Sequence, residues 1–385
     1  MNFDLTDEQR MLKQSARKLM EQEIAPFLAG YPEDQPIPLD GIKSLLKKLI
    51  PLGYLGSTIP EEYGGAGLDF VTYASLMEEL DPTIYGLVMI TASVAKSIQL
   101  LGNDSQKKDL LPPLLCADKV GCAAITEPNV GSNAAFIETR AVLSGDRYAI
   151  NGTKMWITNG SFADLCVVLA NADPSKGHKG ICRFIVDKDL SPFQARPIPI
   201  MGDDPRIRAV GELVFDDCRI PKGNLLGVPG EGLKEQLIEF QTARCFVAIG
   251  SLIMAQRAID AAIRYAKERV QFGKPIGQFQ LIQAMIADMI AETDAARLLT
   301  YRALSMLDKG VRCTKEACIA KFYATEAAVK VTSRAIQIHG AYGLSKEYPV
   351  ERLFRAARIM TIPDGTTQIQ KLIVGREVLG MQAFV

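Results

Sequence analysis

The sequence predicts an α+β protein in three consecutive parts: an all-α segment over residues 1–118, a β-domain over 119–228 and a helical bundle over 229–385. Two observations carry this. Apolar residues recur at three-to-four spacing in both flanking stretches, but the middle stretch holds short runs rich in β-branched residues. That middle stretch is also cut by Gly-Asp at 145–146 and Asn-Gly at 151–152 and 159–160, which is turn chemistry between strands. A chain of 385 residues also exceeds one ordinary core, so several domains are expected.

Thr6-Asp7-Glu8-Gln9 reads as a capping box, in which the Thr6 hydroxyl accepts from the Gln9 amide and Gln9 reaches back. Met11, Leu12, Ala16, Leu19, Met20 and Ile24 follow at helical spacing, and Pro26 should stop the helix. Leu45, Leu46, Leu49 and Ile50 form a second stripe, and further helices are predicted near 69–80 and 85–101. The Gly-rich run Tyr63 to Gly67 predicts a loop before the third of these. It does not open a β-α-β unit and so is no dinucleotide fingerprint. Leu165–Leu169, Ile181–Val186 and Glu212–Asp216 predict strands of a small antiparallel sheet. Val247–Glu268, Gln280–Met306, Lys315–Ile338 and a last helix after Thr366 predict a four-helix bundle.

Lysine plus arginine and aspartate plus glutamate both number 44, which leaves no electrostatic footprint for nucleic acid or an anionic membrane. An anionic ligand must therefore be held by a local cluster of donors. The eight cysteines form no C-x-x-C pair and none stands at zinc spacing from a histidine, so reduced, mostly buried thiols and no metal are expected. The N-terminus lacks a basic region followed by an apolar stretch, and no apolar run is read as approaching the ~18 residues of a membrane span. The expectation is a cytoplasmic protein.

Six segments carry candidate chemistry. Ala124-Ile125-Thr126-Glu127-Pro128-Asn129-Val130-Gly131-Ser132 is a strand running into a polar loop that can present amides and hydroxyls. Lys154-Met155-Trp156-Ile157-Thr158-Asn159-Gly160 holds the only tryptophan. Arg269 heads a run through Phe272-Gly273 to Phe279-Gln280, and its planar fork suits phosphate oxygens. Gln337-Ile338-His339-Gly340-Ala341-Tyr342-Gly343 is a helix end passing into a Gly-rich turn, Phe240 to Arg244 is helical, and Ile362 to Gln370 contains Pro363-Asp364-Gly365. Each has a plain structural reading: a turn, a core tryptophan, a solvated arginine, a helix terminus, a structural arginine at Arg244, and Pro-Asp-Gly as a turn signature in any protein. The only histidines are His178, in a Lys/Gly-rich loop, and His339, so a histidine base is not expected.

Taken together and in this order, these segments resemble the acyl-CoA dehydrogenase family over nearly the whole chain. The resemblance implies FAD as cofactor, with Ala124, Ile125, Thr126, Gly131 and Ser132 lining the flavin and Ser132 also near the CoA chain. Trp156 and Ile157 would flank the isoalloxazine and Thr158 would hydrogen-bond near its reactive nitrogen. Arg269, Phe272, Phe279, Gln280, Gln337 and Gly340 would reach the FAD of a neighbouring subunit, which implies a homo-oligomer, usually a tetramer. Thr366 and Gln368 would hold the flavin side of the C-terminal loop, and Phe240, Arg244 and Gly365 would lie along the substrate. The chain departs from the family pattern at Asn129, Asn133, Ala341 and Asp364, where the family often has Gly, Asp, Gly and Glu.

The implied reaction is α,β-dehydrogenation of an acyl-CoA thioester. Asp364 would remove the α-proton and flavin N5 would take the β-hydride, with electron-transfer flavoprotein as the usual acceptor. The alternative base position of the family holds Ala243, which cannot serve. Aspartate for glutamate withdraws the carboxylate by roughly 1–1.5 Å, and a misplacement of about 1 Å can cost on the order of 10²-fold. This points to an α-branched or alicyclic acyl group, with cyclohexane-1-carboxyl-CoA the leading example and a cyclohexene relative next. Other readings stay open: a straight short- or medium-chain substrate, an enoyl-CoA reductase running the reverse direction, an oxygen-using oxidase, or a CoA-binding protein without redox chemistry.

Overall fold

In the structure, a computed structural model that describes residues 5–383, the first helix opens on the expected capping box. The Thr6 hydroxyl accepts from the Gln9 amide at 3.2 Å, and the Gln9 side chain accepts from the Thr6 amide at 3.1 Å. This helix, α1 (Asp7–Leu19), is not stopped by Pro26. A π-helical turn, Met20–Ile24, follows it, and the chain continues as α2 (Ala25–Ala29) with Pro26 in the opening positions. A proline there gives up an N–H that had no helical partner. The wider turn before it carries the preceding carbonyls one residue further along the chain.

The chain divides into two compact units, Met1–Glu239 and Phe240–Val385. In the first, α3 (Leu39–Leu49) buries Ile42, Leu45, Leu46 and Leu49, close to the predicted stripe. α4 (Phe70–Met77) and α5 (Pro82–Leu101) start at the side-chain caps Asp69 and Asp81. The Gly-rich run is a loop before α4. A Cβ on Gly65 would fall 2.0 Å from the Ile59 carbonyl oxygen, so only glycine packs there. One helix was not expected: α6 (Asp104–Leu115), opened by an Asn103/Gln106 capping box. Its Pro112 and Pro113 sit in the last turn, where few further hydrogen bonds depend on them.

Eight strands form one sheet: β1 (Gly121–Ala124), β2 (Arg140–Ser144), β3 (Arg147–Ile157), β4 (Leu165–Asn171), β5 (Ile181–Asp187), β6 (Gln194–Pro197), β7 (Gly211–Pro221) and β8 (Leu225–Leu226). Their order is β6-β7-β3-β2-β4-β5-β8, with β1 pairing β4. The sheet is mixed, which corrects the antiparallel expectation: β1 and β2 both run parallel to β4. Parallel neighbours need a long crossover, and the β2–β3 hairpin with its loops supplies one between β1 and β4. Every residue of β4 and β5 is buried. Their alternate side chains serve two cores. Leu165, Val167 and Ile185 pack with Val94, Ile98 and Leu114 of α5 and α6; Cys166, Val168 and Phe184 pack with Ile150, Leu213 and Ile220 of β3 and β7.

The second unit begins within α7 (Gly232–Glu268) and continues with α8 (Gln280–Asp308), α9 (Thr314–His339), α10 (Pro349–Ile359) and α11 (Thr367–Leu379). The four predicted helices are present. α10 is a further one, and its Val350, Leu353 and Ala357 close a core with Ala258 and Ala262 of α7, Met289 of α8 and Val331 and Ala335 of α9. Small residues at these contacts let the helix axes approach closely. Seven of the eight cysteines are buried free thiols and Cys116 is exposed. By length and apolar character alone, α5 and α7 could cross a bilayer, so the expectation of no such run does not hold. Within the protein 56% and 72% of their apolar windows are buried, which is how core helices pass the same test.

Candidate active site

Asp364 lies in the turn between α10 and α11, in the second unit. It is a non-glycine residue at φ +55°, followed by Gly365 at φ +94°. Left-handed backbone at an aspartate costs energy and persists only where its surroundings hold it. Here they do. The Asp364 carbonyl accepts from the Gln370 side-chain amide at 2.8 Å and from Arg244 Nε at 3.4 Å. The Gly365 carbonyl accepts from the same Gln370 amide at 3.0 Å and from Lys321 Nζ at 2.9 Å. Thr366 then caps α11, its hydroxyl accepting from the Ile369 amide at 3.4 Å, and Thr367 donates to Glu326 of α9 at 2.7 Å.

The Asp364 side chain is half-buried. Burial pushes its carboxyl above the ordinary carboxylate range, while the charges of Lys321 and Arg244 pull it back. Lys321 is fully buried on α9, and burial lowers its ammonium to about 8 against the opposing pull of Asp364. Arg244, buried on α7, sets its guanidinium 5.6 Å from the Phe240 ring. The fold thus brings Phe240, Arg244, Asp364, Gly365 and Thr366 together. Gln368, the second residue of α11, is exposed. Ala243 offers only a methyl group. Lys321, Gln370 and Glu326 were missed in sequence. The available signal for Lys321 was a lone lysine within the apolar stripe of α9.

In the first unit, β1 ends at the buried Ala124 and passes into the 125–132 loop, half-buried at Ile125 and Thr126 and exposed at Gly131 and Ser132. This loop is tied to the end of β3. The Met155 amide donates to the Thr126 carbonyl at 2.9 Å, and Lys154 Nζ donates to the Ile125 carbonyl at 2.9 Å and to Glu127 at 2.8 Å. Glu127 also accepts the amides of Glu138 and Thr139. Trp156 and Asn159 both take positive φ. The Asn159 amide anchors this turn by donating to the carbonyls of Leu87 and Gly121 and to the Thr91 hydroxyl. Ile157 is buried, so the turn leaves its neighbour, the Trp156 ring, 53% exposed.

Neither the Thr126 nor the Thr158 hydroxyl has a hydrogen-bond partner among the described residues. Two free half-buried hydroxyls beside an exposed indole fit a flat, polar-edged ring such as a flavin.

Within the second unit, α7 ends at a hairpin of β9 (Val270–Gln271) and β10 (Lys274–Pro275), turned by Phe272 and Gly273 at positive φ. An open cavity of about 530 Å³ is lined by Gln271, Phe272, Ile276, Phe279, Gln280, Leu281, Ile282 and Ile338. It gathers Phe272, Phe279 and Gln280, and Phe272 stands 92% exposed at its rim. Arg269 lies outside this lining with its guanidinium 5.5 Å from the Tyr342 ring, which ties it to the turn after Gly340. Gln337 and Gly340 are exposed at that helix end. His339 is instead structural: its Nδ1 lies 2.7 Å from the Ala335 carbonyl and its ring stacks on Tyr265.

The chain matches three family models: the acyl-CoA dehydrogenase N-terminal domain over residues 6–118, the middle domain over 122–218 and the C-terminal domain over 230–379. It is 38% identical to an acyl-CoA dehydrogenase of Bacillus subtilis, with 98% of this chain and 99% of that protein covered. The solved butyryl-CoA dehydrogenase of Megasphaera elsdenii is 36% identical with a TM-score of 0.92, covering 98% of this chain and 100% of that one. A chain solved in work on the electron transferring flavoprotein of Acidaminococcus fermentans is 38% identical, also with a TM-score of 0.92, and covers 98% of this chain and 100% of that one. The protein therefore belongs to the acyl-CoA dehydrogenases, FAD-dependent oxidoreductases that act on acyl-CoA thioesters.

Proposed function

We propose that Asp364 is the base that removes the α-proton, and that the acyl group is α-branched or alicyclic, with cyclohexane-1-carboxyl-CoA first and a cyclohexene-carboxyl-CoA next. The observation that carries the reading is the held left-handed turn at Asp364, with a carboxyl that burial pushes up. A base near its working pH accepts a proton most effectively, and closure by substrate raises it further. FAD, when bound, supplies the acceptor for the β-hydride. The thioester α-proton is too weakly acidic for a bare carboxylate, so the carbonyl oxygen needs a donor as negative charge develops. The Asp364 amide suits that task, since it donates to no carbonyl among the described residues. Thr126, Thr158 and the amides of the 125–132 loop would hold the flavin ring, and Trp156 would cover it. Arg269 and the Phe272–Gln280 segment would hold the dinucleotide of a partner subunit in a homotetramer.

The short stem of Asp364 supports the substrate reading. A carboxylate drawn back by roughly one carbon–carbon bond leaves room at the α-carbon. A straight short-chain substrate is the second reading, favoured by the likeness to butyryl-CoA dehydrogenase. Steady-state assays with electron-transfer flavoprotein as acceptor would separate them, over butyryl-, octanoyl-, isobutyryl- and cyclohexane-1-carboxyl-CoA. The proposal expects the highest kcat/KM for a ring or branched substrate, and a clear preference for butyryl-CoA would overturn it. Asp364→Ala should abolish turnover with FAD retained. An Asp364→Ala enzyme as active as its parent removes Asp364 from the mechanism.

A further inference from the structure

Lys321 is a fully buried lysine whose charge no carboxylate neutralises through a direct hydrogen bond among the described residues; its ammonium group donates to the Gly365 carbonyl at 2.9 Å. Burying an ammonium group is costly, so a lysine held this way on α9 needs a reason. The turn it meets supplies one. Gln370, Arg244 and Lys321 draw the carbonyls of Asp364 and Gly365 inward from three different helices. A trans peptide sets its C=O and N–H on opposite sides. With both carbonyls held inward, the amides of Gly365 and Thr366 face the other way, and the Asp364 stem leaves the turn in a defined direction. Without these donors, two adjacent residues at φ +55° and +94° have little reason to stay there.

We propose that Lys321 is a positioning residue for proton abstraction: its ammonium group fixes the Asp364–Gly365 turn through the Gly365 carbonyl and sets a positive charge at the turn that carries the base. The inference rests on Asp364 being the base. The charged or titratable groups bearing on Lys321 are Asp364, Arg244 of α7, and Glu326 and Cys318 on its own helix. Asp364 is the one carboxylate among them that lies in the turn. Burial brings Lys321 down to about 8, so at neutral pH it remains charged and both roles hold.

The test uses the FAD-loaded enzyme and two variants. Lys321→Met keeps the stem and removes both charge and donor. Its kcat should fall on the order of 10²-fold, the scale of a misplacement of about 1 Å, with a much smaller change in KM. The acid limb of its kcat/KM profile should move to higher pH, because Asp364 loses the charge that lowers its pKa. Lys321→Gln keeps a donor but no charge. It should recover most of kcat while the acid limb stays displaced. Lys321→Met with kcat and acid limb both unchanged, whatever its melting temperature, would overturn the proposal. If Lys321→Met fails to fold or to retain FAD, Lys321→Gln decides: an unmoved acid limb overturns it. Asp364→Ala in the same assay separates the two readings. If that variant is active, the base assignment falls; if it is inactive while the Lys321 variants behave as wild type, only the positioning role falls.

Discussion

Lys154→Met is the most direct test of how the 125–132 loop is held. Lys154 and Glu127 form an ion pair at 2.8 Å with side chains 0% and 1% exposed. Burial pulls the lysine down to about 8 even with Glu127 beside it. Methionine keeps most of the stem but leaves the carboxylate buried without its counter-ion, which typically costs about 3–5 kcal/mol. The amides of Glu138 and Thr139 still donate to Glu127 at 2.6 and 2.9 Å, which favours the lower end of that range. The Ile125 carbonyl also loses its 2.9 Å donor, worth about 1 kcal/mol. A loss of about 4 kcal/mol is therefore expected. With a urea slope of roughly 2–3 kcal/mol/M, the unfolding midpoint should fall by about 1.5 M. Trp156 is the only tryptophan and lies two residues from the change, so its emission follows this transition selectively. The double variant Lys154→Met/Glu127→Gln removes both charges and should regain roughly half the loss, because the buried charge is gone and the one amide oxygen still accepts from one of the two loop N–H groups. A Lys154→Met midpoint within about 0.3 M of wild type, or a double variant no more stable than the single, would refute the argument that an unpaired buried charge sets the cost.

Other changes probe the same two regions. Asp364→Glu advances the carboxylate by roughly 1–1.5 Å; kcat/KM for butyryl-CoA should rise and that for cyclohexane-1-carboxyl-CoA should fall, and equal losses on both would remove stem length as the source of selectivity. Gly365→Ala places a Cβ 2.6 Å from the Gln370 amide at φ +94°, so it should lower stability by about 1–3 kcal/mol and depress kcat more than KM; a stable, fully active variant would contradict the held-turn reading. The acid dependence of stability gives a further check. Burial raises Glu127, but the charge and hydrogen bonds of Lys154 outweigh it, so its folded pKa lies below 4.5. A depressed carboxylate contributes stability above its unfolded pKa and loses it as pH falls through the folded one. The gap between wild type and Lys154→Met should therefore narrow as pH drops below about 4.5, and a gap that stays constant in acid would argue against the pair.

Much of the architecture was open to reading from local pattern. The Thr6 capping box, the α3 stripe and the Gly145-Asp146 and Asn159-Gly160 turns involve residues within a few positions of each other, where spacing alone predicts contact; Asn151-Gly152, expected as a turn between strands, instead lies within β3, at a register shift against β7. What misled was local chemistry overruled by position. Pro26 is a breaker in isolation, yet it occupies the opening of α2. The parallel pairing of β1 with β4 was equally hidden, because the register joins Gly121 to Leu165 across an intervening hairpin.

The sequence by itself determined the three-part pattern, the family resemblance and the aspartate at position 364 with its shortened stem, because each is written in contiguous residues. Only the tertiary structure decided what surrounds that aspartate. Arg244 lies 120 residues from it in sequence, and Lys321 lies 44 residues from Gly365. No spacing rule links a lysine in an apolar helix stripe to a turn beyond two further elements. The packing of α7, α9 and α11 brings their donors onto two adjacent carbonyls, and that convergence makes a common Pro-Asp-Gly turn a held one.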